Sequence, residues 1–188
     1  MTPRGKKVAF LDRDGTINAE VSFVRDVTGL VVLPGVVDAL HRLHAADYEI
    51  VVVTNQSGIA RGLYTEADLA HIHATLHERL HRLPRAYLHC PHLPDGGHGY
   101  GHACDCRKPA PGLLHEAREL LGLQFAGGVL IGDSARDLLM GRGLPLTTIH
   151  VRSGKPAAEQ RALLREAGME PDHEAADLAA AVDWLLGA

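Results

Sequence analysis

Aromatic residues make up only 4% of this chain, so its interior has to be assembled from Leu, Val, Ile and Ala. An excess of positive charge is also missing. Nineteen Lys and Arg stand against 23 Asp and Glu, a net charge of −4, which removes the broad electrostatic attraction that nucleic-acid and membrane-surface binders use. Any anionic ligand must be held by local charges. No apolar run reaches the ~18 residues of a bilayer span. The basic start, Met1 to Lys7, leads into an apolar stretch that stops at Leu11 against Asp12, too short for a secretory signal. The expectation is a cytoplasmic protein. Cysteine is scarce: three residues, all between positions 90 and 106. An odd, clustered set points to a metal rather than to a disulfide framework.

The chain has 188 residues, 46% of them apolar and 22% charged. That is ordinary globular composition and suits one domain over 1–188. A domain of this size buries roughly 70% of the surface its unfolded chain would expose, enough for a real core. Apolar runs alternate with helical patterns. Strands are expected at Lys6–Leu11, Glu49–Thr54, Ala86–His89, Gly128–Ile131 and Thr147–Val151. Helices are expected at Val36–Ala46, Thr65–Leu83, Leu113–Leu121 and Ala135–Arg142, with two more near 157–166 and 177–186. The long helix opens on Thr65-x-x-Asp68, carries Leu69, Ile72, Leu76, Leu80 and Leu83 as a stripe, and stops at Pro84. Such alternation implies an α/β fold, a Rossmann-like parallel sheet with helices on both faces.

Ligands of such sheets bind at the carboxyl ends of the strands. Those ends carry Asp12-Arg-Asp14-Gly-Thr16, Thr54-Asn55-Gln56-Ser57-Gly58 and Gly132-Asp133-Ser134, and the loop after the third strand ends in Arg107-Lys108-Pro109. Crowded carboxylates need a cation, and oxygen ligation favours a hard ion such as Mg²⁺. A carboxylate beside Mg²⁺ can attack phosphorus and a second can donate a proton to the leaving oxygen. Thr54, Asn55 and Lys108 then offer donors and charge to the phosphoryl oxygens. Lys108 is one of only four lysines.

Together these motifs resemble the haloacid-dehalogenase (HAD) superfamily of phosphohydrolases. Within it they are similar to the D-glycero-D-manno-heptose-1,7-bisphosphate 7-phosphatase family, from about Val8 to Lys155. The resemblance implies a HAD-like fold without a large cap domain. It also implies a Mg²⁺-dependent phosphatase reaction through an aspartyl-phosphate. Asp12 would be the nucleophile, Asp14 the general acid/base, and Thr54 and Lys108 the phosphoryl-stabilising groups. Mg²⁺ would be held by Asp12, the backbone carbonyl of Asp14, and Asp133, with Asp137 at most supporting these ligands from outside. The substrate would be a small sugar phosphate and the protein a monomer, with no nucleic-acid or membrane partner.

Cys90-x-His92 and Cys104-x-Cys106 offer three thiolates and an imidazole, a tetrahedral Zn²⁺ set. Their place directly before Arg107-Lys108-Pro109 is similar to the same family, where such residues hold structural zinc that fixes the loop from Cys90 to Pro111. His77-Glu78-x-x-His81 has the form of a zinc-protease motif, but its expected place is on a helix away from the strand-end rim, and with 13 histidines a chance match is the better reading.

Without a large cap, short loops must contact substrate: Glu20, Val21, Ser22 and Phe23; Asn55, Gln56 and Ser57; Arg61; and Arg107. A guanidinium can grip a second phosphate bidentately. The chain departs from the family at Ser22-Phe23, where Gly-Tyr is usual, and at Ser134, where Lys is usual. Histidinol-phosphate phosphatase is the alternative substrate class, against which Ser57-Gly-Ile-Ala-Arg-Gly62 argues. A phospho-accepting signalling domain takes its phosphate at the end of the third strand, whereas here the paired aspartates end the first.

Overall fold

The computed structural model describes residues 6–187; the basic start over 1–5 lies outside the described residues. Six strands form one parallel sheet in the order β3-β2-β1-β4-β5-β6. They are β1 (Lys7–Leu11), β2 (Tyr48–Asn55), β3 (Ala86–Cys90), β4 (Gly128–Gly132), β5 (Leu146–Val151) and β6 (His173–Ala175). The helices are α1 (Val36–Ala45), α2 (Glu66–Arg79), α3 (Gly112–Leu121), α4 (Ala135–Met140), α5 (Ala157–Glu166) and α6 (Leu178–Leu186).

β1 shows why an apolar run becomes a central strand. Its odd and even positions are both buried, because helices cover both faces. Ala9 and Leu11 join a core with Ile50, Val52, Val129 and residues of α1, α2 and α6. Val8 and Phe10 face the other way, against Val51, Val53, Leu130 and the α3 residues Leu113, Leu114 and Ala117. The chain winds outward from β1 through β2 to β3, then returns to place β4 on the other side of β1. The crevice between β1 and β4 is the switch point at which such sheets bind ligands.

The expected elements are present with shifted ends, and two differences have physical causes. α2 stops at Arg79, short of Leu83, because His81 and Arg82 take left-handed backbone (φ 53° and 59°) and turn the chain before Pro84 is reached. Its start is capped as expected, by reciprocal bonds between Thr65 and Asp68. The second difference is β6, which the pattern does not announce. Its three residues, His173-Glu-Ala175, contain no β-branched side chain and are extended only by pairing with β5. No helix of the described residues is long and apolar enough to cross a membrane.

Candidate active site and metal centres

The strand ends bring Asp12, Asp14, Thr54, Lys108 and Asp133 into one cleft. Asp12 follows β1 directly and donates its backbone N–H to Ile131 of β4 at 2.9 Å, which fixes it over the switch point. The Lys108 ammonium lies 2.6 Å from Asp12 Oδ1 and 2.7 Å from Asp137 Oδ1. All three side chains are almost wholly buried. Lys108 is delivered by Asn55, whose amide donates to the Lys108 carbonyl (3.2 Å) and accepts from its N–H (3.1 Å). Both polar atoms of Asn55 are thereby used, so this residue positions Lys108.

Asp14 faces a different set. Its carboxylate accepts from Arg13 (2.9 and 3.0 Å), Asn18 (2.9 Å) and Gln56 (3.0 Å). Burial pushes this carboxyl up, but the Arg13 guanidinium and the hydrogen bonds outweigh it, and the net direction is down. Arg13 itself is 1% exposed and spreads over three partners: Asp14, Gln56 Oε1 at 3.1 Å and His73 Nε2 at 3.1 Å. His73 accepts from Arg13 and is held neutral, its pKa lowered to about 3 by burial and then by the Arg13 charge. Gln56 completes the network: it donates to Thr54 Oγ1 at 2.8 Å and accepts from the Tyr64 hydroxyl at 2.7 Å. Gln56 therefore orients Thr54 and Asp14.

The carboxylate cluster holds one member beyond the expected ligands. Oxygens of Asp12, Asp133 and Asp137 lie within 4.8 Å of one another, so Asp137 stands beside the two carboxylates expected as ligands, while Arg13 holds the Asp14 side chain in a separate network. Burial and then the charge of Asp137 drive the Asp12 carboxyl well up, and the same two causes raise Asp133 to about 7. One ammonium does not neutralise three buried carboxylates, and a hard cation fits this donor set. Gly15, at φ 87°, leaves the space that Asp133 uses: a Cβ there would meet Asp133 Oδ2 at 2.4 Å.

The second donor set lies where β3 runs into the loop. Cys90 Sγ is 3.5 Å from Cys104 Sγ, Cys104 Sγ is 3.2 Å from Cys106 Sγ, and His92 Nδ1 is 3.7 and 3.3 Å from Cys90 and Cys106. A tetrahedron of ligands at about 2.3 Å from zinc has edges of roughly 3.8 Å. The four atoms fit a closed zinc site. Arg107 donates to the His92 carbonyl at 2.9 Å, which links this site to the cleft.

The cleft walls include Glu20, Val21, Ser22, Phe23, Ser57 and Arg107. Arg61 does not line it. Its guanidinium lies 5.9 Å from the ring centroid of Phe23, a residue of the cleft wall. The histidines of His77-Glu78-x-x-His81 do not converge either. His81 lies beyond the helix in left-handed backbone and pairs with His41 at 3.0 Å, while Glu78 bonds Arg82.

A family profile described as HAD-hydrolase-like matches residues 105–181. The D-glycero-β-D-manno-heptose-1,7-bisphosphate 7-phosphatase of Salmonella typhi is 40% identical over 157 residues, covering 80% of this chain and 83% of that protein. The Yersinia pestis protein of that name is 34% identical over 183 residues, 94% of this chain and 88% of its own. The crystal structure of the D,D-heptose 1,7-bisphosphate phosphatase from B. bronchiseptica, complexed with magnesium and phosphate, superposes with a TM-score of 0.83 at 35% identity, covering 96% and 98% of the two chains. The chain belongs to this heptose-bisphosphatase family of the HAD hydrolases.

As a member of this family the protein is a phosphomonoesterase. In and behind the cleft stand residues that the sequence motifs do not single out, Arg136 on its wall among them. Arg13 sits inside the DxD motif, yet the motif alone does not say that it turns inward. Tyr64 and His73 reach the network from the α2 region, and no local pattern ties them to Asp14. Lys155, one of the four lysines, donates its N–H to Asp133 at 2.8 Å and its ammonium to Glu20 at 2.9 Å. Its scarcity was the available signal.

Proposed function

We propose that the protein removes the C7 phosphate of D-glycero-D-manno-heptose 1,7-bisphosphate in a Mg²⁺-dependent reaction through an aspartyl-phosphate. The observation that carries this reading is the buried Lys108–Asp12 contact at the end of β1, in a chain of this family. Asp12, Asp133 and the backbone carbonyl of Asp14 would hold Mg²⁺. When bound, the ion supplies positive charge to the phosphoryl oxygens and offsets their repulsion from Asp12.

Lys108 holds Asp12 through Oδ1 and leaves Oδ2 without a protein donor, so Oδ2 is the attacking atom. It forms an O–P bond as the bond from phosphorus to the C7 oxygen breaks, and that oxygen takes a proton from Asp14. Asp14 is ionised in the resting arrangement, so it must first take up a proton from solvent and leave Arg13. Water then attacks the aspartyl-phosphate, gives its proton to Asp14, and phosphate leaves with Asp12 restored. Thr54 and Lys108 stabilise charge on the transferring oxygens throughout. Having given its proton to the C7 oxygen, Asp14 is the carboxylate that the second half needs, and Arg13 and Gln56 stabilise that form.

One Zn²⁺ on Cys90, His92, Cys104 and Cys106 would hold the loop that ends in Arg107 and Lys108. The whole chain acts as one catalytic domain and as a monomer, and reduced zinc thiolates suit the cytoplasm. The deciding experiment compares kcat/KM for heptose bisphosphates, the matching monophosphates and histidinol phosphate. A preference for histidinol phosphate would overturn the substrate and leave the phosphatase chemistry standing.

A further inference from the structure

Five cationic side chains line the cleft, and they differ in what holds them. Arg13 is tied to Asp14, Lys108 to Asp12 and Asp137, and Lys155 to Glu20. Arg107 and Arg136 have no carboxylate partner among the described residues. These two also share a second groove, which meets the cleft beside the zinc loop and is completed by Pro94, Ala103, Cys104, Lys108 and Pro109. No carboxylate lines that groove. The site is therefore electrically divided: acidic at the ends of β1 and β4, cationic where it meets the groove.

Arg136 stands in the first turn of α4 and is exposed. Its guanidinium forms no salt bridge among the described residues, and a dianionic ligand would give it a partner. Ser134, which directly follows Asp133, has no charge to offer, and its hydroxyl is spent on Asp137 at 2.6 Å.

We propose that Arg136 and Arg107 together form the subsite for the second, non-reacting phosphate of the substrate, which makes Arg136 a specificity-determining residue. The inference rests on the bisphosphate reading above. Arg107 comes from the zinc loop, fixed by its bond to the His92 carbonyl; Arg136 comes from α4, the helix that also carries Asp137. Guanidinium forks match phosphate oxygens. Two forks from separate elements hold a phosphate only in a substrate that spans the distance from Asp12 to the groove. Binding energy gained there orients the reacting phosphate.

The test is Arg136→Gln, assayed with a heptose 1,7-bisphosphate and with the matching 7-monophosphate. The expected result is a roughly tenfold or larger fall in kcat/KM for the bisphosphate, mainly through KM, with the monophosphate unchanged and partial recovery in Arg136→Lys. Inhibition by the heptose 1-phosphate product should weaken while inhibition by inorganic phosphate stays constant, a split that a merely structural role would not produce. If the wild type prefers the bisphosphate and Arg136→Gln keeps that preference, this inference fails alone. If the wild type shows no such preference, the substrate reading fails and this subsite falls with it.

Discussion

The two donor clusters of this protein are built in opposite ways. Asp12, Asp133 and Asp137 stand on strand ends and the first turn of a helix, in a sheet packed on both faces, and Lys108 crosses to them with both its partners within 2.7 Å. Cys90, His92, Cys104 and Cys106 belong mostly to a loop over 91–111 with neither helix nor strand. The first cluster gathers three buried carboxylates around one ammonium on packed elements. In the second, Cys90 is buried in the core with Cys104 and Cys106 packed against it, and an ion bound there would tie down a loop that has neither helix nor strand. The catalytic cluster depends on the other in one respect, since Arg107 and Lys108 are delivered by the loop that the cysteines close.

The largest expected effect falls on the carboxylate cluster. Asp12→Asn should lower turnover by about 10³-fold or more, because an amide cannot form the covalent intermediate. Circular dichroism and unfolding should show an intact fold. Full activity in that folded variant would break the proposed mechanism.

Zinc removal tests the dependence between the clusters. Elemental analysis of metal-washed protein should find about one zinc per chain. Cys104→Ser should lose the zinc and about tenfold or more in kcat/KM even at saturating Mg²⁺, since Lys108 loses its anchor. Unchanged kcat/KM in a zinc-free protein would separate the two regions that the structure joins.

Arg107→Ala sharpens the comparison at their boundary. It should narrow the preference for bisphosphate over monophosphate by roughly ten- to a hundredfold in kcat/KM, as expected for one lost charge-assisted hydrogen bond. Arg61→Ala, at a residue that does not line the cleft, should leave that preference unchanged.

The smallest effect is on stability and comes from His73. Its folded pKa of about 3 lies below the ordinary 6.5, so below pH 6.5 the unfolded chain takes up a proton that the folded one refuses. Stability is then fully present above pH 6.5 and falls as pH drops toward 3. Urea unfolding at pH 7.5 and 4.5 should show wild type losing more than His73→Gln, by on the order of 1–3 kcal/mol. Equal losses would mean that the Arg13–His73 contact carries no such linkage.

Sequence alone was enough for the order of elements, the strand ends that gather at the cleft and the four members of the Cys/His cluster. These are local properties: apolar runs of strand length, a capping pair, and motifs that place Asp12, Thr54 and Asp133 one residue from the end of a strand or at it. β6 was not legible, because a three-residue edge strand owes its shape to its neighbour. Nor was the early stop of α2, which left-handed backbone at His81 and Arg82 imposes against a continuing apolar stripe. Within the site, only tertiary structure decided which carboxylates meet. Asp14 lies two residues from Asp12, yet Arg13, His73 and Gln56 hold it apart, while Asp137 reaches Lys108 across 29 residues of chain. Arg136 lines the cleft and Arg61 does not, for the same reason. A motif states which groups are near a strand end, but the direction a side chain takes is set by partners from other elements, and those are chosen by packing.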